Sequence, residues 1–211
     1  MLKKYTSCLL LLCSLALSHT AWANDNAFRK PLTLYLVLHD DISHYSTHEL
    51  RQDYFAWLIK DLESFTDRYV QLAFIRDVPG LTDFAYQNDD VDKTYSAWKD
   101  KMDRYVIKNG TQRNETTKYL LLTQNRINSD TLGASTDTGY TGIASLETFT
   151  IPAHELGHML GGTHEAAEVR YKRGWWCQTN IVEKHGDIYS NCYVYSDANK
   201  QIIAEHLNRY P

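Results

Sequence analysis

Residues 154–164 read His-Glu-Leu-Gly-His-Met-Leu-Gly-Gly-Thr-His. A helix over the first part of this stretch places His154 and His158 one turn apart, on the same face. Two imidazoles so placed suit neighbouring positions on a tetrahedral zinc ion, whose Zn–N bonds measure about 2.0–2.1 Å. Glu155 projects one position round from His154, so its carboxylate can lean over an open coordination position without being a ligand.

The glycine pair that follows the helix supplies the route to a third ligand. Gly161 can take the positive φ that a chain reversal after a helix requires, which brings His164 back toward the same point. A catalytic zinc takes three protein ligands and keeps one position for water. Histidine ligation also favours Zn²⁺ over Ca²⁺ or Mg²⁺. The spacing therefore predicts one catalytic Zn²⁺ held by His154, His158 and His164.

The whole motif resembles the metzincin clan of zinc metalloendopeptidases. The run Leu-Gly-Gly-Thr-His-Glu and residues 189–192 are most similar to reprolysin-type and bacterial peptidyl-Asp-type members. The resemblance implies a zincin-like α+β fold, with a twisted mixed sheet and helices, the active-site helix at the cleft and a small C-terminal subdomain. It also implies that zinc-bound water hydrolyses peptide bonds, with Glu155 as the general base.

The same resemblance implies a substrate-binding edge strand in the upper part of the fold. Residues 131–135 match that strand, so Leu132, Gly133 and Ala134 are expected to bind an extended protein or peptide substrate by main-chain hydrogen bonds. Three later tyrosines are candidate oxyanion donors, as tyrosines are in some clan members. The alternative for each is an ordinary packing aromatic, and the candidates are Tyr189, Tyr193 and Tyr195.

Two positions depart from the clan pattern. Glu165 follows the third histidine, where reprolysins usually have Asp and astacins have Glu. Clan members also carry a methionine in a tight turn beneath the zinc, and no methionine follows Met159. Residues 179–181 or the segment at Cys192 are the two candidates for that turn.

The first residues have the features of an export signal. Lys3 and Lys4 precede an apolar run from Cys8 to Leu17, and Ala21-Trp22-Ala23 offers small residues at the two positions that a signal peptidase recognises. This order predicts a signal peptide over residues 1–23 and an exported protein, secreted or periplasmic. No membrane anchor is expected after cleavage.

Charge and cysteine usage fit an exported chain. The formal net charge of −4 becomes −6 once Lys3 and Lys4 are removed, so nucleic acid is a poor partner. Cleavage leaves Cys177 and Cys192, which most simply form one disulfide in an oxidising compartment. A monomer is expected.

The remaining pattern predicts a single domain over residues 24–211, with an upper subdomain over about 24–161 and a lower one over about 162–211. Buried strands are expected at 32–38, 70–75 and 119–123, and amphipathic helices over 48–69 and from Val91 to a stop at Asn109-Gly110. An edge strand and a following strand are expected within 128–145. The part after the motif is predicted to be helix-loop-helix, ending in a helix over 197–209.

A second class of function fits part of this evidence. The missing methionine makes an inert, zinc-stabilised binding module conceivable on the same scaffold. Glu155 separates the two hypotheses, because a purely structural zinc site is usually closed by four protein ligands and needs no carboxylate beside an open position.

Overall fold

The computed structural model describes residues 29–184 and 188–211. The predicted signal peptide, residues 1–23, lies outside the described residues. The elements follow in this order: β1 Leu32–Leu38, a 3-10 turn Asp40–Ile42, α1 Thr47–Leu50, a π-helical turn Arg51–Phe55, α2 Ala56–Thr66, β2 Val70–Ile75, α3 Val91–Asn109, β3 Thr117–Thr123, β4 Gly133–Ser135, β5 Thr141–Ser145, α4 Ile151–Met159, β6 Val169–Lys172, β7 Trp175–Gln178, β8 Ser190–Asn191 and α5 Asp197–Asn208.

A five-stranded mixed sheet forms the centre of the fold. Strands β2, β1, β3 and β5 are parallel neighbours in that order, and β4 lies at one edge, antiparallel to β5. The near-continuous apolar runs of β1 and β3 are typical of parallel strands covered on both faces. The architecture is α+β with a twisted mixed sheet, which confirms the predicted fold class.

Helices cover both faces of this sheet because its strands alternate between two apolar clusters. One face of β1 packs with α2, α4 and α5, through residues such as Leu36, Leu62 and Leu156. The opposite face packs with α3, where Trp98 and Met102 are fully buried. The motif helix α4 is therefore fixed in the core beneath the sheet.

The first long helix differs from its prediction in two respects. Its middle turn, Arg51–Phe55, is π-helical, and it ends at Thr66 and not at Tyr69. Asp67 has a left-handed φ of 51°, which stops the helix. A reciprocal pair of hydrogen bonds between Ser46 and Glu49 caps its beginning.

The prediction of a helix-loop-helix after the motif was wrong. That part of the chain contains a three-stranded sheet in the order β6-β7-β8, followed by helix α5, and only the final helix was expected. A disulfide joins Cys177 to Cys192 and confirms the predicted pair. Within residues 29–184 and 188–211, every helix is too short or too polar to cross a membrane.

Candidate metal centre

Helix α4 presents the first two histidines of the motif. Pro152 lies in its first turn, where a missing N–H costs nothing, and Thr150 occupies the N-cap position without a capping side-chain bond to the helix. The helix ends at Met159. Gly161 then takes a φ of +93°, the left-handed conformation predicted from the sequence, and the chain turns back toward the helix.

This turn brings the three histidines together. The Nε2 atoms of His154 and His158 are 3.1 Å apart, those of His158 and His164 are 3.0 Å apart, and those of His154 and His164 are 3.2 Å apart. Three nitrogens bound to one tetrahedral zinc at about 2.0–2.1 Å lie roughly 3.3 Å from one another. The triangle is therefore close to the size that a shared zinc ion requires.

The other ring nitrogens determine what these Nε2 atoms can do. His154 Nδ1 lies 3.1 Å from the carbonyl oxygen of Asn180, and His158 Nδ1 lies 2.9 Å from that of Gly162. A carbonyl oxygen only accepts, so each Nδ1 carries the proton and each Nε2 keeps a lone pair. Burial also lowers the pKa of His158, which favours its neutral form.

Two lone pairs that face each other at 3.1 Å repel unless a cation lies between them. The donor set therefore fits a divalent metal ion, and its all-imidazole composition fits zinc. The two carbonyl partners fix the tautomer and orientation of their rings, as outer partners commonly do for histidine ligands. Among the described residues, these three histidines each offer one ligand atom, and the three atoms lie within 4.8 Å of one another, as a shared metal ion requires.

Residues 179–181 form the floor of the metal centre. They are one of the two segments that the sequence offers for the turn beneath the zinc. Ile181 is fully buried, and its side chain packs directly against Gly157 and Gly162. A Cβ at either glycine would lie 2.5 Å from Ile181 Cδ1, so the glycines are needed for this close approach. Because Asn180 also accepts from His154, this segment is tied to the centre by packing and by a hydrogen bond.

Glu155 lies beside the histidines with its carboxylate almost withdrawn from solvent, at 6% exposure. Ser135 Oγ donates to Glu155 Oε2 over 2.7 Å and leaves Oε1 without that contact. Burial raises the pKa of Glu155 to about 7, although the Ser135 hydrogen bond opposes the shift. A carboxyl group with a pKa near neutrality can both accept and return a proton.

Strand β4 brings backbone close to this carboxylate. A Cβ on Gly133 would lie 2.5 Å from Glu155 Oε1 and 2.8 Å from its Cδ, so only glycine fits there without a shift. Leu132 accepts a backbone hydrogen bond from Ser145, and Ala134 pairs with Ile143. On its other side β4 pairs with no strand of the described chain, so this edge faces outward beside Glu155.

A cavity of about 210 Å³ adjoins the edge strand and the motif helix. Its apolar wall includes Leu132, Ile151 and Val182. Two carboxylates, Asp130 and Glu183, also line it and are exposed to solvent. The cavity can therefore receive a side chain that has an apolar stem and a positively charged end.

The three candidate tyrosines lie in different environments. Tyr195 is fully buried, and its hydroxyl donates to the carbonyl oxygen of Ala153 over 2.7 Å. That position makes it a packing residue and not an oxyanion donor. Tyr193 stacks edge-to-face on Trp57, and Tyr189 directly precedes β8. For Tyr193 and Tyr189 the oxyanion role stays a prediction.

Sequence reasoning did not assign a role to Ser135 or to the Asn180 carbonyl. For Ser135 a signal existed, because alternate residues of a strand share a face and Gly133 had already been placed beside the cleft. Asn180 lies in one of the two segments that the sequence offers for the turn beneath the zinc, but its hydrogen bond with His154 is made by the backbone carbonyl, which has no side-chain signature.

Comparisons with known proteins place the fold. No family model matches the chain, and no curated protein matches it. Among solved structures, metalloproteinase-II from Bacteroides fragilis is similar, with a TM-score of 0.56 and 17% sequence identity over 85% of this chain. The match covers 53% of that protein, so this chain spans about half of its length. The chain therefore shares the fold of the matched part of that protein.

Proposed function

We propose that this protein is an exported zinc-dependent endopeptidase. The observation that carries the proposal is the convergence of three imidazole Nε2 atoms beside a buried carboxylate at the outer edge of a sheet. The disulfide supports export, because disulfides persist mainly in oxidising compartments.

In this proposal the three histidines hold the metal, and Glu155 moves the proton. A zinc ion held by these histidines would lower the pKa of a bound water and polarise a carbonyl oxygen. Glu155 accepts the proton of the attacking water at Oε1, because Oε2 is held by Ser135. It then returns the proton to the nitrogen of the leaving amine.

Strand β4 binds the substrate in this account. An extended peptide can add to the sheet beside β4 through main-chain hydrogen bonds, and its scissile carbonyl would then lie near the histidines. The adjoining cavity takes a neighbouring side chain. Its two solvent-exposed carboxylates, Asp130 and Glu183, favour Lys or Arg at that position of the substrate.

An inert zinc-stabilised module is the second candidate, supported by the isoleucine that fills the floor of the site. The burial of Glu155 argues against it, because a carboxylate without a salt-bridge partner among the described residues is costly to bury even when Ser135 donates to it, and a structural site has no use for one.

The decisive experiment compares the native protein with Glu155→Gln on a reduced, unfolded protein and on a peptide library. The variant should retain zinc and lose activity by about 10²–10⁴-fold, the usual contribution of a general base. A zinc chelator should abolish cleavage, and added zinc should restore it. Equal cleavage by both proteins would exclude the mechanism, and zinc without any cleavage would favour the inert module.

The library also tests the side-chain preference. Peptides with Lys or Arg next to the scissile bond should be cleaved fastest, and Glu183→Gln should reduce that preference by roughly two- to fivefold, as for an exposed ion pair. Unchanged preference would remove the carboxylates from the specificity argument and leave the hydrolytic role intact.

A further inference from the structure

Strands β6 and β7 form a tight hairpin with an aromatic and basic tip. Tyr171 lies opposite Trp176, and Lys172 lies opposite Trp175. Arg173 and Gly174 connect the strands and have φ values of 52° and 92°. Two consecutive positive φ values are typical of the two-residue turn that joins twisted strands most tightly. The tip is therefore a tight two-residue turn.

Large aromatic side chains are exposed on both faces of this hairpin. Trp175 is 74% exposed, Tyr171 63% and Trp176 54%. Directly opposite residues share a face and consecutive residues alternate, so Tyr171 and Trp176 occupy one face and Trp175 the other. A groove on a folded partner would cover one face only. A medium that surrounds the tip would cover both.

The charges of the hairpin indicate the chemistry of that medium. Residues 169–178 include three cations and no acidic residue. Arg170 is paired with Glu168 and Asp197, at 2.6 and 3.2 Å. Lys172 and Arg173 form no salt bridge within the described parts of the chain. The tip therefore combines two cations that have no salt-bridge partner among the described residues with exposed aromatic side chains, in a protein whose net charge is −4. This combination favours an anionic surface with an apolar interior.

We propose that this hairpin docks the protein on anionic phospholipid surfaces. Tryptophan and tyrosine prefer the boundary between headgroups and acyl chains, where their rings are apolar and their polar atoms stay hydrated. Lys172 and Arg173 would meet the lipid phosphates, and each cation near an anionic surface strengthens binding by about fivefold. The proposal is independent of peptidase activity, because neither the histidines nor Glu155 takes part.

Docking would also set the position of the metal centre. Strand β7 ends at Gln178, two residues before Asn180, whose carbonyl accepts from His154. The disulfide ties β7 to the segment after β8 and so holds the base of the hairpin. A membrane bound at the tip would therefore lie at a fixed distance from the candidate active site.

The test is binding of the full protein to vesicles, measured by co-sedimentation and by tryptophan fluorescence. Vesicles that contain phosphatidylglycerol should bind the protein, and vesicles of phosphatidylcholine alone should bind it at least about tenfold more weakly, since two cations each contribute about fivefold. Bound protein should show blue-shifted emission that brominated lipid quenches. Absence of binding to anionic vesicles, or equal binding to both kinds, would overturn the proposal.

Variants assign the binding to the tip. Trp175→Ala with Trp176→Ala should weaken vesicle binding by about tenfold or more, because most of the apolar contact is lost. The control away from the tip is Ile107→Ala with Lys108→Ala, which removes an exposed apolar residue and an exposed cation from α3 and should leave binding unchanged.

All four side chains are largely exposed, so thermal unfolding of both double variants should match that of the native protein. Full vesicle binding by the folded tryptophan variant would refute the proposal. Loss of cleavage of a protein substrate by that variant, with no vesicle binding by the native protein, would assign the tip to a protein partner instead.

Discussion

Replacing Gly133 by alanine is expected to disable Glu155 while the three histidines stay in place. The added Cβ would lie 2.5 Å from Glu155 Oε1 and 2.8 Å from its Cγ and Cδ, well inside van der Waals contact. Gly133 does not require a left-handed φ, so alanine brings no backbone strain of its own there. The carboxylate must move, and its 2.7 Å hydrogen bond from Ser135 must lengthen or break.

The size of the effect follows from that displacement. A shift of about 1 Å in a reacting group commonly costs about 10²-fold in rate, or roughly 3 kcal/mol of transition-state stabilisation. Cleavage of a fluorogenic peptide and zinc content should be measured on the same preparation. We expect kcat to fall by about 10²-fold at unchanged zinc content.

Gly110→Ala is the control for a glycine substitution without a new contact. Gly110 lies at the end of α3 with a φ of 61° and no heavy atom within 4 Å of an added Cβ. This variant should lose a little stability and no activity. Full activity in Gly133→Ala would refute the placement of the edge strand against Glu155.

Three further predictions concern stability. Ile181→Ala should lower the free energy of unfolding by about 2–5 kcal/mol through the cavity it leaves beneath the histidines, whereas the volume-matched Ile181→Met should lose less than about 1.5 kcal/mol; equal losses in denaturant titrations would contradict the floor assignment. Burial lowers the pKa of Lys118 from 10.5 to about 8, so between these pH values the unfolded chain holds more protons and the native protein gains stability as pH rises. The difference in unfolding free energy between the native protein and Lys118→Met should therefore move in favour of the native protein as pH rises through this range, and a constant difference would contradict this prediction. Reducing the disulfide between Cys177 and Cys192, which are 15 residues apart, should lower the free energy of unfolding by about 3 kcal/mol. An unchanged unfolding midpoint in dithiothreitol would show that the disulfide does not stabilise the fold.

The candidate site was largely predictable because its chemistry is concentrated in a few residues at fixed spacing. His154 and His158 share a helix face because they are four residues apart, and Gly161 indicates the turn that brings His164 back toward them. The floor was harder to predict. Ile181 carries no chemical signature, and its role depends on Gly157 and Gly162, which approach it only in the folded chain.

Parts of the fold were predicted less well, for physical reasons. Strands β1 and β3 are continuous apolar runs, so their periodicity was clear. The π-helical turn Arg51–Phe55 adds one residue per turn without changing which residues are apolar, so the helix was predicted without it. Strands β6 and β7 carry exposed aromatics and cations on both faces, and this pattern lacks the alternation that identifies a half-buried strand.

X-ray absorption at the zinc edge of the purified protein tests the central claim most directly. The geometry predicts one zinc per chain, bound by three imidazole nitrogens at about 2.0–2.1 Å, with His164→Ala losing most of the metal. A protein without stoichiometric metal, or a zinc whose ligands are sulfur or carboxylate oxygen only, would contradict the account.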